Sequence, residues 1–152
     1  MRLSGYERCF NMQTINEVQD DIIASFSELD DWMDKYQLLI DMGNDLKPLD
    51  EQYKKPQYLI EGCQSRVWVY AEYDRVTGRI RFEAESDTVI IKGLVYLLLR
   101  VFNQRTPSEI LSTDLYFIEQ IGLKEHLSPT RSNGLLSIIR QMQNYALVFK
   151  NL

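Results

Sequence analysis

Apolar residues recur at helical spacing from Ile15 onward: Ile15, Val18, Ile22, Ile23 and Phe26 form one stripe. After a break near Leu29-Asp30, a second stripe follows with Trp32, Met33, Tyr36, Leu39 and Ile40. This pattern predicts two short antiparallel helices. Thr14-Ile15-Asn16-Glu17 reads as a capping box, so folded structure is expected to begin near Thr14. Residues 1–13 are expected to form a flexible extension and 14–152 a single domain. Gly43-Asn44 closes the second helix, and Leu46 to Glu61, broken by Pro48 and Pro56, reads as a long surface loop of the kind that often carries function.

From Arg66 the period changes from helical to alternating. Val67 to Tyr73 and Arg79 to Glu85 flank Asp74-Arg75-Val76-Thr77-Gly78, the pattern of a β-hairpin. In its second strand Ile80, Phe82 and Ala84 share one face, while Arg79, Arg81, Glu83 and Glu85 share the other, as expected of a sheet with one wet side. The helices to cover the apolar face come next. They are expected from Thr88 to about Asn103, after the capping box Thr106-Pro107-Ser108-Glu109, from Leu115 to Ile121, and along the stripe Leu135, Ile138, Ile139, Met142, Tyr145, Ala146, Phe149. The fold class is therefore α+β: a small antiparallel sheet, a hairpin with room for a third strand, packed against several α-helices.

Composition and charge narrow the function. The 152 residues are 45% hydrophobic and 26% charged, the balance of an ordinary globular domain. The net charge is −5, and between Met12 and Glu61 twelve carboxylates face four lysines, while the rest of the chain is close to neutral. No basic stripe is present to replace counterions on phosphates, so nucleic acid is not an expected partner. The acidic stretch reads as a solvated helical face or as a surface for a basic partner. The most apolar run, Val89 to Phe102, is interrupted by Lys92, Gly93 and Arg100 and is shorter than the ~20 residues of a membrane span, so no membrane association is expected. With two cysteines, Cys9 and Cys63, and no apolar leader, a reducing, cytoplasmic setting is expected.

Candidate chemistry reduces to one thiol. One histidine and two separated cysteines make no zinc-ligand cluster, and the seven glycines form neither a Walker nor a dinucleotide pattern. Cys63, in Gly62-Cys63-Gln64-Ser65, sits where the irregular segment meets the first strand, and the adjoining glycine lets the backbone bend and gives a partner access to sulfur. It reads either as a nucleophile or as one of the many cysteines that simply pack.

Ile60-Glu61-Gly62-Cys63-Gln64-Ser65-Arg66-Val67-Trp68 resembles the I-x-G-C-Q-S-x-V-W signature of the SufE family and its CsdE paralogue. Two further segments are similar in order and spacing: Ser86-Asp87 leading to Lys92-Gly93-Leu94, and His126-Leu127-Ser128-Pro129-Thr130-Arg131-Ser132-Asn133-Gly134-Leu135. The resemblance covers about Thr14 to Phe149. It implies a SufE/NifU-like fold and a sulfur acceptor and activator for a cysteine desulfurase, carrying sulfur as a Cys63 persulfide to iron–sulfur cluster assembly, with no cofactor of its own. The implied partners are a SufS/CsdA-like cysteine desulfurase bearing pyridoxal phosphate and iron–sulfur scaffold proteins, with the chain a monomer or weak homodimer. Arg131, matching the family's arginine, is a candidate to hold the thiolate or persulfide anion, or alternatively a helix-start ion-pair partner. Asp87 is the expected N-cap of the helix from Thr88 and a candidate anchor of the cysteine loop. His126 is expected to serve structurally, and Gln64, Trp68 and Gly93 to serve loop geometry and packing. Two other readings remain open. One is an adaptor that activates a desulfurase without carrying sulfur; the other is a thiol redox enzyme, for which Cys9 would be the only resolving thiol.

Overall fold

Two reciprocal capping boxes start helices where the sequence places them. Thr14 Oγ1 accepts the Glu17 N–H while Glu17 returns a carboxylate to the Thr14 N–H, and Thr106 and Glu109 repeat the arrangement. The computed structural model describes residues 13–60 and 65–152. The first two helices are α1 (Ile15–Ser27) and α2 (Trp32–Asn44). Strands β1 (Val67–Asp74) and β2 (Arg79–Ser86) follow, then α3 (Val89–Phe102), α4 (Pro107–Ser112), α5 (Tyr116–Gln120), α6 (Leu123–His126) and α7 (Pro129–Lys150). The short α6 has no counterpart in the sequence reading; Gly122, at φ +79°, separates it from α5.

Helix α3 is the axis of the fold, packing on α1, α2, β2 and α7. Its apolar residues Ile91, Leu94, Val95, Leu97, Leu98, Val101 and Phe102 are buried around most of its circumference, which is why its sequence reads as nearly continuous hydrophobicity. Each fully buried side chain such as Phe26, Phe82 or Phe102 contributes roughly 1.5–3 kcal/mol over its exposed state. The expected pairing of α1 with α2 is not the principal contact: each lies on α3 instead, with the α2–α3 contact the most extensive between helices. Glycine makes that approach possible. A Cβ on Gly93 would collide with the Leu39 carbonyl, whose carbon would lie 2.8 Å away, and one on Gly43 would stand 2.8 Å from the Gly93 nitrogen.

The hairpin pairs Val67 with Ser86 through Asp74 with Arg79. Asp74 Oδ1 accepts the N–H groups of Val76 and Thr77 across the turn, holding the carboxyl below its ordinary range, and Gly78 completes the turn at φ +69°. Ile80, Phe82, Ala84 and Ser86 face the core. Among the described residues the sheet has two strands; in place of a third, single bridges flank it, Leu59 with Trp68 and Ile80 with Arg105.

The face expected to be wet is covered at its Trp68–Glu85 end by the expected loop. Residues 46–60 contain two 3-10 turns, Glu51–Tyr53 and Pro56–Tyr58, and they fold over the hairpin with Leu49 and Ile60 buried. Tyr53 stacks on Tyr70 at 3.7 Å between centroids, and Tyr58 meets Tyr70 edge-on at 5.4 Å. Lys54 Nζ lies 2.8 Å from Glu85 Oε2, and Leu49 N–H donates to Glu85 Oε1 at 2.9 Å. Burial pushes the Glu85 carboxyl up, but Lys54 and the Leu49 amide outweigh it and leave the group below its ordinary value.

Candidate functional site

The segment carrying the expected nucleophile is held from both sides. Before it, Ile60 N–H donates to Val67 O at 2.8 Å and Leu59 bridges Trp68. After it, Arg66 N–H donates to Asp87 Oδ1 at 3.1 Å, and Asp87 N–H donates back to Arg66 O at 3.2 Å. Thr88 Oγ1 lies 2.7 Å from Ser65 Oγ and 3.2 Å from Asp87 Oδ1; with one proton, it donates to one of them at a time. Cys63, with Gly62 and Gln64, falls in 61–64, outside the described residues, as does Cys9.

Asp87 therefore does not cap α3, a correction to the expected N-cap. Thr88 occupies the cap position without a side-chain cap bond, and the Thr88 N–H is taken by Ser86 Oγ at 3.2 Å. Asp87 instead fixes the residue at which the chain enters β1. The physical reason is register: Val67 pairs with Ser86, so the next residue outward on each strand, Arg66 and Asp87, face each other across the ladder's end. A carboxylate there accepts an amide that the ladder no longer serves.

Arg131 lies in the first turn of α7, opened by Pro129 and by Ser128 Oγ accepting the Arg131 N–H at 3.3 Å. Its side chain is exposed and, among the described residues, makes no ion pair; none of its contacts joins it to the Asp87–Thr88–Ser65 group. Helix α7 runs in the same sense as β1, because Tyr145 O–H donates to Val69 O at 3.1 Å while Phe149 stacks on Tyr73 at 5.4 Å. Arg131 stands about 21 Å back along the helix from Tyr145, and Ser65 about 13 Å back along the strand from Val69. Both thus lie on the same side of the Tyr145–Val69 contact.

His126 is placed structurally. Its ring stacks on Trp32 at 3.9 Å and 10°, and Nδ1 lies 3.0 Å from Gly122 O, which as an acceptor requires the proton on Nδ1. Trp68 pairs with Leu59 and Gly93 admits α2, so both serve geometry and packing. The sequence reading missed Ser65, Thr88 and the tyrosine cover; an outward Tyr70 with Tyr53 and Tyr58 nearby was the available signal. Among the described residues, no three His, Cys, Asp or Glu side chains gather as metal ligands, and no helix is long and apolar enough to cross a membrane.

A two-stranded hairpin wrapped by helices, with Ser65 and Arg66 tied to the residues just before α3, defines an α+β domain. The family model SufE, the Fe-S metabolism associated domain, matches residues 20–146, and the chain belongs to that family. Its association with iron–sulfur metabolism follows from that membership. The fold is also similar to the solution structure of a hypothetical protein from Thermus thermophilus, with a TM-score of 0.72 at 18% identity, covering 89% of this chain and 97% of that one. At that identity the likeness concerns the fold alone.

Proposed function

We propose that this protein accepts sulfur on Cys63 from a cysteine desulfurase and delivers it to iron–sulfur cluster assembly in the cytoplasm. The observation that supports it most is the reciprocal Arg66–Asp87 pairing, which fixes the exit of the Cys63 segment within a chain of the SufE family. A thiol that receives sulfur from another protein must be presented on a connection whose ends are fixed, and the bonds at Ile60 and Arg66 supply both ends.

In this reading the Cys63 thiolate attacks the terminal sulfur of a cysteine persulfide on the desulfurase. The donor's S–S bond breaks, its cysteine leaves as a thiolate, and Cys63 becomes the persulfide, so the sulfur moves without external oxidant or reductant. Pyridoxal phosphate belongs to the desulfurase, which generates the persulfide; this chain supplies the acceptor. Arg131 stabilises the sulfur anion electrostatically and Asp87 anchors the connection. The partners are a SufS/CsdA-like desulfurase and an iron–sulfur scaffold, with the protein acting as monomer or weak homodimer.

Incubation with a desulfurase and cysteine, followed by intact-mass analysis, tests the reading. Cys63 gains one or more sulfur atoms that a reductant removes, and Cys63→Ser gains none. Equal sulfur uptake by Cys63→Ser refutes it, and a Cys63→Ser protein that still stimulates the desulfurase in full supports the adaptor instead.

A further inference from the structure

A cavity of about 550 Å³ lies where the middle of β2, the C-terminal half of α3 and residues 45–47 meet. None of its lining residues belongs to the Asp87–Thr88–Ser65 group. Its charge runs against that of the chain: Lys47, Arg81, Arg100 and Arg105 line it against Asp45 and Glu83, within a protein of net charge −5. Arg81 is taken up by Glu72 and Glu83. Lys47 and Arg100 make no ion pair among the described residues.

Arg105 is the unusual member. It is 5% exposed, donates from Nη1 to Gln13 O at 2.8 Å, and leaves Nε buried with no hydrogen-bond partner among the described residues. No carboxylate lies within ion-pair distance of it among the described residues. Glu109 acts on it only through space, its carboxylate accepting the Thr106 N–H. A buried guanidinium without a counter-charge is unfavourable unless something else supplies one. The backbone leading to it is also constrained: Gln104 has φ 60°, held by its N–H donating to Ile80 O at 2.9 Å and by Arg79 donating to Gln104 O at 2.9 Å. Non-glycine residues at positive φ persist where surrounding bonds over-determine them, commonly beside ligands. Val18, Phe82 and Leu99 give the cavity apolar walls, and its volume suits a small ligand.

We propose that this cavity binds a small organic anion whose carboxylate or phosphate head sits on Arg100, beside the buried Arg105, and whose apolar body lies on Tyr96 and Leu99. The anion supplies the counter-charge that Arg100 and the buried Arg105 lack among the described residues.

The full-length protein, nitrogen-15 labelled, is titrated with hexanoate, hexyl phosphate, inorganic phosphate and neutral hexanol, following arginine Nε–H and backbone amide resonances. Saturable binding of hexanoate or hexyl phosphate is expected, with the Arg100 Nε–H among the largest shifts; whichever binds tighter identifies the head group. Inorganic phosphate and hexanol should each bind at least about tenfold more weakly, the worth of one charge-assisted hydrogen bond or a short apolar chain. Arg100→Gln should weaken the anion by about tenfold while keeping the wild-type melt, since Arg100 is only half-buried. Arg105→Gln tests the buried charge if it stays folded, and Arg100→Gln decides if it does not. Absence of saturable binding by both amphiphilic anions, equal binding of hexanol, or an unchanged affinity in Arg100→Gln overturns the proposal.

Discussion

Arg66 and Asp87 exchange hydrogen bonds across the end of the hairpin: the Arg66 N–H donates to Asp87 Oδ1 at 3.1 Å, and the Asp87 N–H donates to Arg66 O at 3.2 Å. One half of this pair is backbone and survives substitution; the other is the side chain and does not. Asp87→Ala is therefore expected to cost about 1–2 kcal/mol in urea unfolding and to slow sulfur uptake by Cys63. Asp87→Asn, which keeps an acceptor oxygen, should recover most of the stability. Equal uptake rates in wild type and Asp87→Ala would leave the residue a purely structural fastener.

Arg131 is expected to support chemistry more than fold, because its side chain is exposed and carries no ion pair among the described residues. Arg131→Ala should slow Cys63 alkylation and desulfurase-dependent sulfur uptake at neutral pH, with partial recovery as pH rises and thiolate forms without help. Arg131→Lys should recover less than charge alone suggests, since an ammonium lacks the planar fork of donors. A pH series in the three proteins, run beside thermal melts, checks this. Unchanged profiles with a lowered melting temperature would make Arg131 a structural residue.

Gly93→Ala reverses the usual sign of such a change. On an exposed helix, glycine to alanine stabilises by up to about 1 kcal/mol. Here the added methyl group meets the Leu39 backbone, which cannot swing aside as a side chain would, so a loss of about 3 kcal/mol is expected. Denaturant midpoints give the answer, and a gain in stability would show that α2 and α3 separate more easily than their packing indicates.

Glu85 ties the tyrosine-bearing segment to the hairpin and sets part of the acid limb of stability. Its folded-state pKa is depressed relative to the unfolded chain: burial raises it, but Lys54 and the Leu49 N–H lower it further. Its contribution is thus complete above the ordinary carboxylate pKa and is lost as pH falls through the folded value. Lys54→Met should weaken stability at neutral pH and narrow its difference from wild type as the pH falls through the carboxylate range. Urea titrations across that range measure the difference, and a gap that stays constant or widens in acid contradicts the assignment.

Local information determined much of this protein. Capping boxes at Thr14 and Thr106 specify helix starts because the bonds they make lie within four residues, and the alternation of Ile80, Phe82 and Ala84 specifies a strand face because side chains alternate regardless of context. The residues around Cys63 named the family, which the match over residues 20–146 bears out. Tertiary structure alone decided which elements meet. Asp87 looked like a cap because local spacing favours one; register across the hairpin gave its carboxylate to Arg66 instead. Residues 46–60 lack periodicity, so no local signal says that Tyr53 and Lys54 return to Tyr70 and Glu85, contacts that depend on the path of the chain through space. The buried Arg105 is the clearest case, since its own guanidinium fixes its charge, while the absence of a carboxylate within ion-pair distance among the described residues is a property only of the packed domain.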